Sequence, residues 1–124
     1  MFADDFNREI VLSSQVELLE FIKERPAFNA NHFGFTFSEN GFPQLTIFVK
    51  DDYCVFYFLG EGESYVSLNN NTTEWGVEIF YENEKGTQVE LAKECVLNAE
   101  TMIEVAIQFF VTRSRPICIE WMEL

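Results

Sequence analysis

The side chains able to do chemistry are few. Histidine occurs once, as His32, and the thiols are Cys54, Cys95 and Cys118. Nucleophilic catalysis by a Cys–His couple needs an activated thiol beside a base. No thiol here has that context: Cys54 alternates with Phe56 and Phe58, and Cys95 precedes Val96, as buried structural cysteines do. Their number and spacing give neither a disulfide framework nor a zinc site. His32, beside Asn31 at a strand entry, reads as a partly exposed polar residue. Carboxylate pairs are abundant, at Asp4-Asp5, Asp51-Asp52, Glu61 with Glu63 and Glu82 with Glu84. Acid–base work requires one member of a pair to be desolvated, whereas these lie in predicted turns. Neither Asp51-Asp52 nor Gly60-Glu61-Gly62-Glu63 has the ligand spacing of a calcium loop, and the latter also lacks the third glycine and following helix of a phosphate cradle. The expectation is a chain with no catalytic residue, no cofactor and no metal.

A different pattern recurs: an acid beside an aromatic at a turn. Asp51, Asp52 and Tyr53 form one instance, Glu61, Glu63 and Tyr65 a second, Glu74 and Trp75 a third, and Tyr81 with Glu82 and Glu84 a fourth. Tyr and Trp supply rigid contact area, and carboxylates meet Arg or Lys on a partner. The plainer account is that these rings pack at the rim of a sheet with their polar tips in water. Repetition favours a partner contact at one or more of these turns, and the expected surface comprises Asp51, Asp52, Tyr53, Glu61, Glu63, Tyr65, Glu74, Trp75, Glu82 and Glu84.

The elements that position these turns follow from periodicity. Residues 14–25 read as a helix, with Ser14 and Glu17 spaced as a capping box, an apolar stripe of Leu18, Phe21 and Ile22, and Pro26 as the stop. Period-two alternation then gives three strands, through Phe33-Phe35-Phe37, Leu45-Ile47-Val49 and Cys54-Phe56-Phe58. Residues 65–68, 75–81 and 87–91 continue the strand pattern, and 82–86 reads as a hairpin loop. Connections this short favour an antiparallel meander. From Asn98, its expected N-cap, a second helix carries Met102, Val105, Ala106, Phe109 and Phe110 on one face, with Arg113 and Arg115 at its negative end. Pro116 ends it, and residues 117–121 read as a last strand. The predicted fold is α+β: a single antiparallel β-sheet of about five or six strands with two helices packed on one face, in one domain spanning residues 1–124.

Composition bounds the partner. The 124 residues are 48% hydrophobic with 14 phenylalanines, enough to order a backbone, and they carry 21 acids against 8 Lys and Arg for a net charge of −13. Scattered and scarce bases exclude direct nucleic-acid binding and an anionic membrane surface. A basic macromolecule remains, such as an enzyme whose groove is built for nucleic acid. A folded surface of roughly 7,000 Å² with evenly spread charge would place fewer than about two net charges in an interface half of about 800 Å². Recognition therefore requires the acids to cluster. The start Met1-Phe2-Ala3-Asp4-Asp5 has no signal-peptide character, and the expected compartment is the cytoplasm.

The C-terminal stretch carries a likeness. Ala106-Ile107-Gln108-Phe109-Phe110, then Arg115-Pro116, then Ile119-Glu120-Trp121 at the end of a short acidic chain resembles the Imm1 family of bacterial immunity proteins. Gly62-Glu63-Ser64-Tyr65-Val66-Ser67-Leu68 is similar to that family's glycine-tyrosine-serine segment. Ala3-Asp4-Asp5-Phe6, Arg25-Pro26-Ala27-Phe28, Gly41-Phe42-Pro43-Gln44-Leu45 and Phe80-Tyr81-Glu82-Asn83 resemble the branch that neutralises secreted cytosine deaminase toxins acting on double-stranded DNA. The resemblance implies that the chain covers the DNA-binding and active-site face of such a toxin, and it implies no catalytic residue. Pro116 and Trp121 read as fold determinants. An acidic intracellular adaptor and a small hydrolase are the competing readings.

Overall fold

A computed structural model describes all 124 residues. Ten strands and two α-helices follow in chain order: β1 Phe2–Asp4, β2 Glu9–Val11, α1 Gln15–Phe21, β3 Ala30–Thr36, β4 Gln44–Lys50, β5 Tyr53–Gly60, β6 Glu63–Leu68, β7 Val77–Tyr81, β8 Gln88–Ala92, β9 Leu97–Asn98, α2 Met102–Thr112 and β10 Glu120–Glu123. Three of these, β3 to β5, are the alternating phenylalanine and aliphatic runs, and with β6 they form the expected antiparallel meander.

The main sheet has eight strands rather than five or six, in the order β10-β6-β5-β4-β3-β1-β2, with β9 pairing to β5. The N-terminal hairpin adds two that are too short to show a period. A second correction concerns residues 77–92. The strands β7 and β8 do not extend the meander; they pair only with each other and lie across the opposite face of the main sheet from the helices. The molecule is thus three layers: helices, main sheet, hairpin.

The reason lies in the outward positions of the central strands. Leu45, Ile47, Val49, Cys54, Phe56 and Phe58 bury one face against α1 and α2, with Leu18, Phe21, Val105 and Phe109 packed on them. Phe48 and Val55 alternate to the other face, which must also be covered, and Phe80 and Leu91 of the hairpin cover it. Aromatic edges lock both layers. Phe21 meets Phe33 at 5.5 Å, Phe58 meets Phe109 at 6.3 Å, and Phe48 meets Phe80 at 6.4 Å between centroids.

Both helices occupy one face as expected, with shorter spans. Ser14 caps α1 by accepting the Glu17 N–H, and the Glu17 carboxylate reaches back to the N–H of Ser13. The helix ends at Phe21, four residues short of Arg25, because the carbonyl of Glu24 accepts from Asn31 and Arg25 donates to the carbonyls of Asn29 and Asp51. Asn98 is not the N-cap of α2: its side chain accepts the Glu100 N–H and caps a 3-10 turn, Ala99–Thr101, and α2 starts one turn later, after Thr101. Arg113 closes α2 in the left-handed conformation at φ 57°. The last strand begins at Glu120, not Ile117, since the indole N–H of Trp121 donates to the carbonyl of Pro116 at 2.7 Å and holds the intervening residues in a bend. No helix is long and apolar enough to cross a membrane.

Candidate functional site: an acidic end of the sheet

The β4–β5 turn and the β6–β7 loop meet at one end of the main sheet. Asp51 takes the tight turn with φ 53°, and its N–H donates to the carbonyl of Asn29 while the Asn29 amide donates to its carboxylate at 3.1 Å. The carbonyl of Asp52 accepts from Ala99. Arg25, its guanidinium pKa lowered chiefly by burial, holds the Asp51 carbonyl from beneath. Asp51 and Asp52 are therefore exposed carboxylates on a rigid tip, which lowers the ordering cost of any contact they make.

The β6–β7 loop is pinned at both ends. Asn69 donates through its N–H to Glu94 and through its amide to Val96, and Lys93 donates to the carbonyl of Gly76. Between these points Glu74 and Trp75 project outward, and the Trp75 side chain is 91% exposed. A cleft of about 380 Å³ separates this loop from the β4–β5 tip, lined by Asp52, Tyr53, Glu74, Glu78, Lys93 and Asn98 among others. Lys93 approaches Glu74 at 3.7 Å, and Lys50 pairs with Glu78 at 3.2 Å. Tyr53 stands on the cleft wall, 48% exposed. An exposed indole and a half-exposed phenol beside carboxylates form an anchor-and-charge surface suited to a basic partner.

No protein-family model matches the chain. A protein of Burkholderia cenocepacia (strain H111) named "Double-stranded DNA deaminase immunity protein" is 50% identical to it over 124 residues, covering 100% of both chains. The chain belongs to the double-stranded DNA deaminase immunity proteins. The expectation of an immunity protein against a double-stranded DNA deaminase is thereby met.

Within this immunity protein the ten sequence-selected residues divide. Asp52, Tyr53 and Glu74 line one cleft, with Asp51 and Trp75 next to them in the chain on its two sides. Glu82 and Glu84 sit on the β7–β8 turn, close to β3: Tyr81 stacks on Phe28 at 4.6 Å, and the Glu82 carbonyl meets Nδ1 of His32 at 3.1 Å. Glu61 and Glu63 lie at the far end of β5, eight residues or roughly 25 Å of extended strand away. Tyr65 is engaged there already, with the Arg115 guanidinium 3.9 Å above its ring.

Sequence reasoning missed Glu78 and Lys93 of this immunity protein. Glu78 alternates between Val77 and Ile79 as a strand residue should, but nothing local signals that β7 crosses the main sheet and brings it to Lys50. Of the possible Cys–His couples, the one with Cys54 is divided between the two faces of the sheet. His32 stacks on Phe48 at 4.0 Å on the hairpin side, whereas Cys54 is buried on the helix side.

Proposed function

We propose that this immunity protein binds a double-stranded DNA deaminase toxin and inhibits it without catalysis, by seating the acidic end of its sheet on the toxin's DNA-binding face. The carrying observation is Trp75, almost fully exposed next to Glu74 on a loop tied at both ends, with Asp52 across the cleft that Glu74 lines. An exposed indole on a loop held at both ends offers rigid contact area at a low ordering cost. The full-length likeness to a double-stranded DNA deaminase immunity protein supports the choice of partner, and an enzyme that holds a polyanion presents the basic groove this surface complements. The first-half motifs point to cytosine as the base attacked. Glu82 and Glu84 would extend the contact, whereas Glu61, Glu63 and Tyr65 would lie apart from it.

The test is deamination of duplex DNA by the toxin titrated with this protein. Wild type is expected to abolish turnover near equimolar ratio, and a variant carrying Asp52→Lys, Glu74→Lys and Trp75→Ala is expected to lose inhibition while remaining folded. Binding without inhibition would instead support the adaptor reading.

A further inference from the structure

The main-sheet face opposite the helices is only half covered. Phe80 and Leu91 of the hairpin lie against Phe48 and Val55, next to His32. The register places Phe2 opposite both Val11 and Thr36, and Asp4 opposite both Glu9 and Gly34. These two rows line an open groove of about 280 Å³. Alternation sends Ala3 and Ile10 into the core, so Phe2 and Val11 point away from it and remain 46% and 59% exposed.

The charges in this groove are at odds with one another. Asp4 and Glu9 sit directly opposite on adjacent antiparallel strands, and neither takes part in a salt bridge. Like charges so placed destabilise a ladder. Burial raises the Asp4 carboxyl above its ordinary value, His32 draws it down, and Glu9 and Asp5 push it up. Gly34 makes the arrangement possible, because a Cβ there would fall 2.6 Å from Oδ1 of Asp4. The free chain thus keeps two wet apolar side chains beside two unneutralised carboxylates. A partner supplying one cation and one apolar side chain relieves both.

We propose that this half-face is a second docking surface for the same toxin, taking an amphipathic segment whose Lys or Arg sits between Asp4 and Glu9 and whose apolar side chain covers Phe2 and Val11. The inference rests on the reading of this protein as a deaminase inhibitor. Charge selects the occupant: a second copy would bring the same carboxylates together on chains of net charge −13, whereas a DNA-handling enzyme brings the opposite sign.

Glu9→Lys separates a docking role from a structural one, because the two move in opposite directions. It turns the Asp4 pair into one of opposite charge, so the free protein should melt at a higher temperature. Its Kd for a catalytically inactivated double-stranded DNA deaminase encoded by the same organism, measured by calorimetric titration, should rise about tenfold. Val11→Ser, which leaves the charge unchanged, should weaken binding with little change in melting. If neither variant weakens binding while Trp75→Ala does, the second surface is overturned and the proposed function stands. If wild type does not bind this toxin, the proposed function fails and this inference falls with it.

Discussion

The Ser67 hydroxyl donates to the carbonyl of Cys95 at 2.7 Å. The same oxygen accepts the N–H of Phe56 at 3.1 Å, and Ser67 is fully buried. The β5–β6 ladder stops at Tyr57 opposite Val66, and β9 takes over only at Cys54. Ser67 fills the gap between the two partners. It also ties down the turn that carries Lys93 and Glu94 to the acidic end. Ser67→Ala leaves one donor and one acceptor buried without partners and is expected to cost about 1–3 kcal/mol in urea denaturation. A loss below about 0.5 kcal/mol, the scale of an ordinary surface substitution, would mean that water replaces the hydroxyl.

Much of this architecture is legible in the sequence, and the failures share a cause. Phe33, Leu45, Ile47 and Phe56 mark one buried face by alternation, and Ser14 marks a helix start by side-chain chemistry, whereas Asn98 marks only the 3-10 turn ahead of α2. Ile47-Phe48-Val49 and Cys54-Val55-Phe56 are continuous apolar runs, the signature of strands buried on both faces. Reading only their alternating members leaves no need for a third layer, and β7 and β8 are then assigned to the meander. The acidic turns are readable one by one from their turn residues. Their grouping is not, since which tips are neighbours depends on register: Asp52 and Glu63 flank the two ends of one strand, whereas Asp52 and Glu74 share a cleft across a long loop.

Asp4→Asn tests the charge conflict on the open half-face in the free protein. Burial, the largest cause, raises the Asp4 carboxyl above its ordinary value of 3.8. A raised folded-state pKa gives a contribution that is present below the unfolded value and lost as pH rises through the folded one. At neutral pH the charge is therefore a penalty, and the isosteric amide should raise the melting temperature. At about pH 3, where the carboxyl is protonated in both states, the difference should vanish. An advantage of the same size at both pH values would assign the effect to packing instead.

The three thiols should react in order of exposure. Burial pushes the Cys54 thiol up to about 12, against an ordinary 9.0, and its Sγ lies 3.4 Å from the Asn98 carbonyl. Cys95 is also buried, and Cys118 is half-buried. Iodoacetamide at mildly alkaline pH is expected to label Cys118 first and to leave Cys54 unmodified until the protein unfolds. The same shift sets a stability trend. The neutral Cys54 contributes fully below about pH 9, and the contribution is lost as pH rises towards about 12. Rapid native-state labelling of Cys54 would show that the contact between α2 and β5 opens on the timescale of the reaction.

Trp75 and Tyr65 were selected by the same sequence pattern, and their surroundings now predict opposite outcomes. Trp75 is 91% exposed and contributes little to the fold, so Trp75→Ala should shift stability by no more than about 0.5 kcal/mol. If the indole anchors the toxin, as proposed, dissociation should accelerate about 30-fold, the equivalent of a 2 kcal/mol hot spot. Tyr65 packs against the main core beneath Arg115. Tyr65→Ala should therefore lower stability by about 2–4 kcal/mol and leave the dissociation rate of the remaining folded protein near wild type. Paired denaturation and surface-binding measurements on the two variants separate the ends of the sheet. A stable Tyr65→Ala variant that releases the toxin quickly, beside a Trp75→Ala variant that holds it, would move the interface to the far end, where Glu61 and Glu63 are.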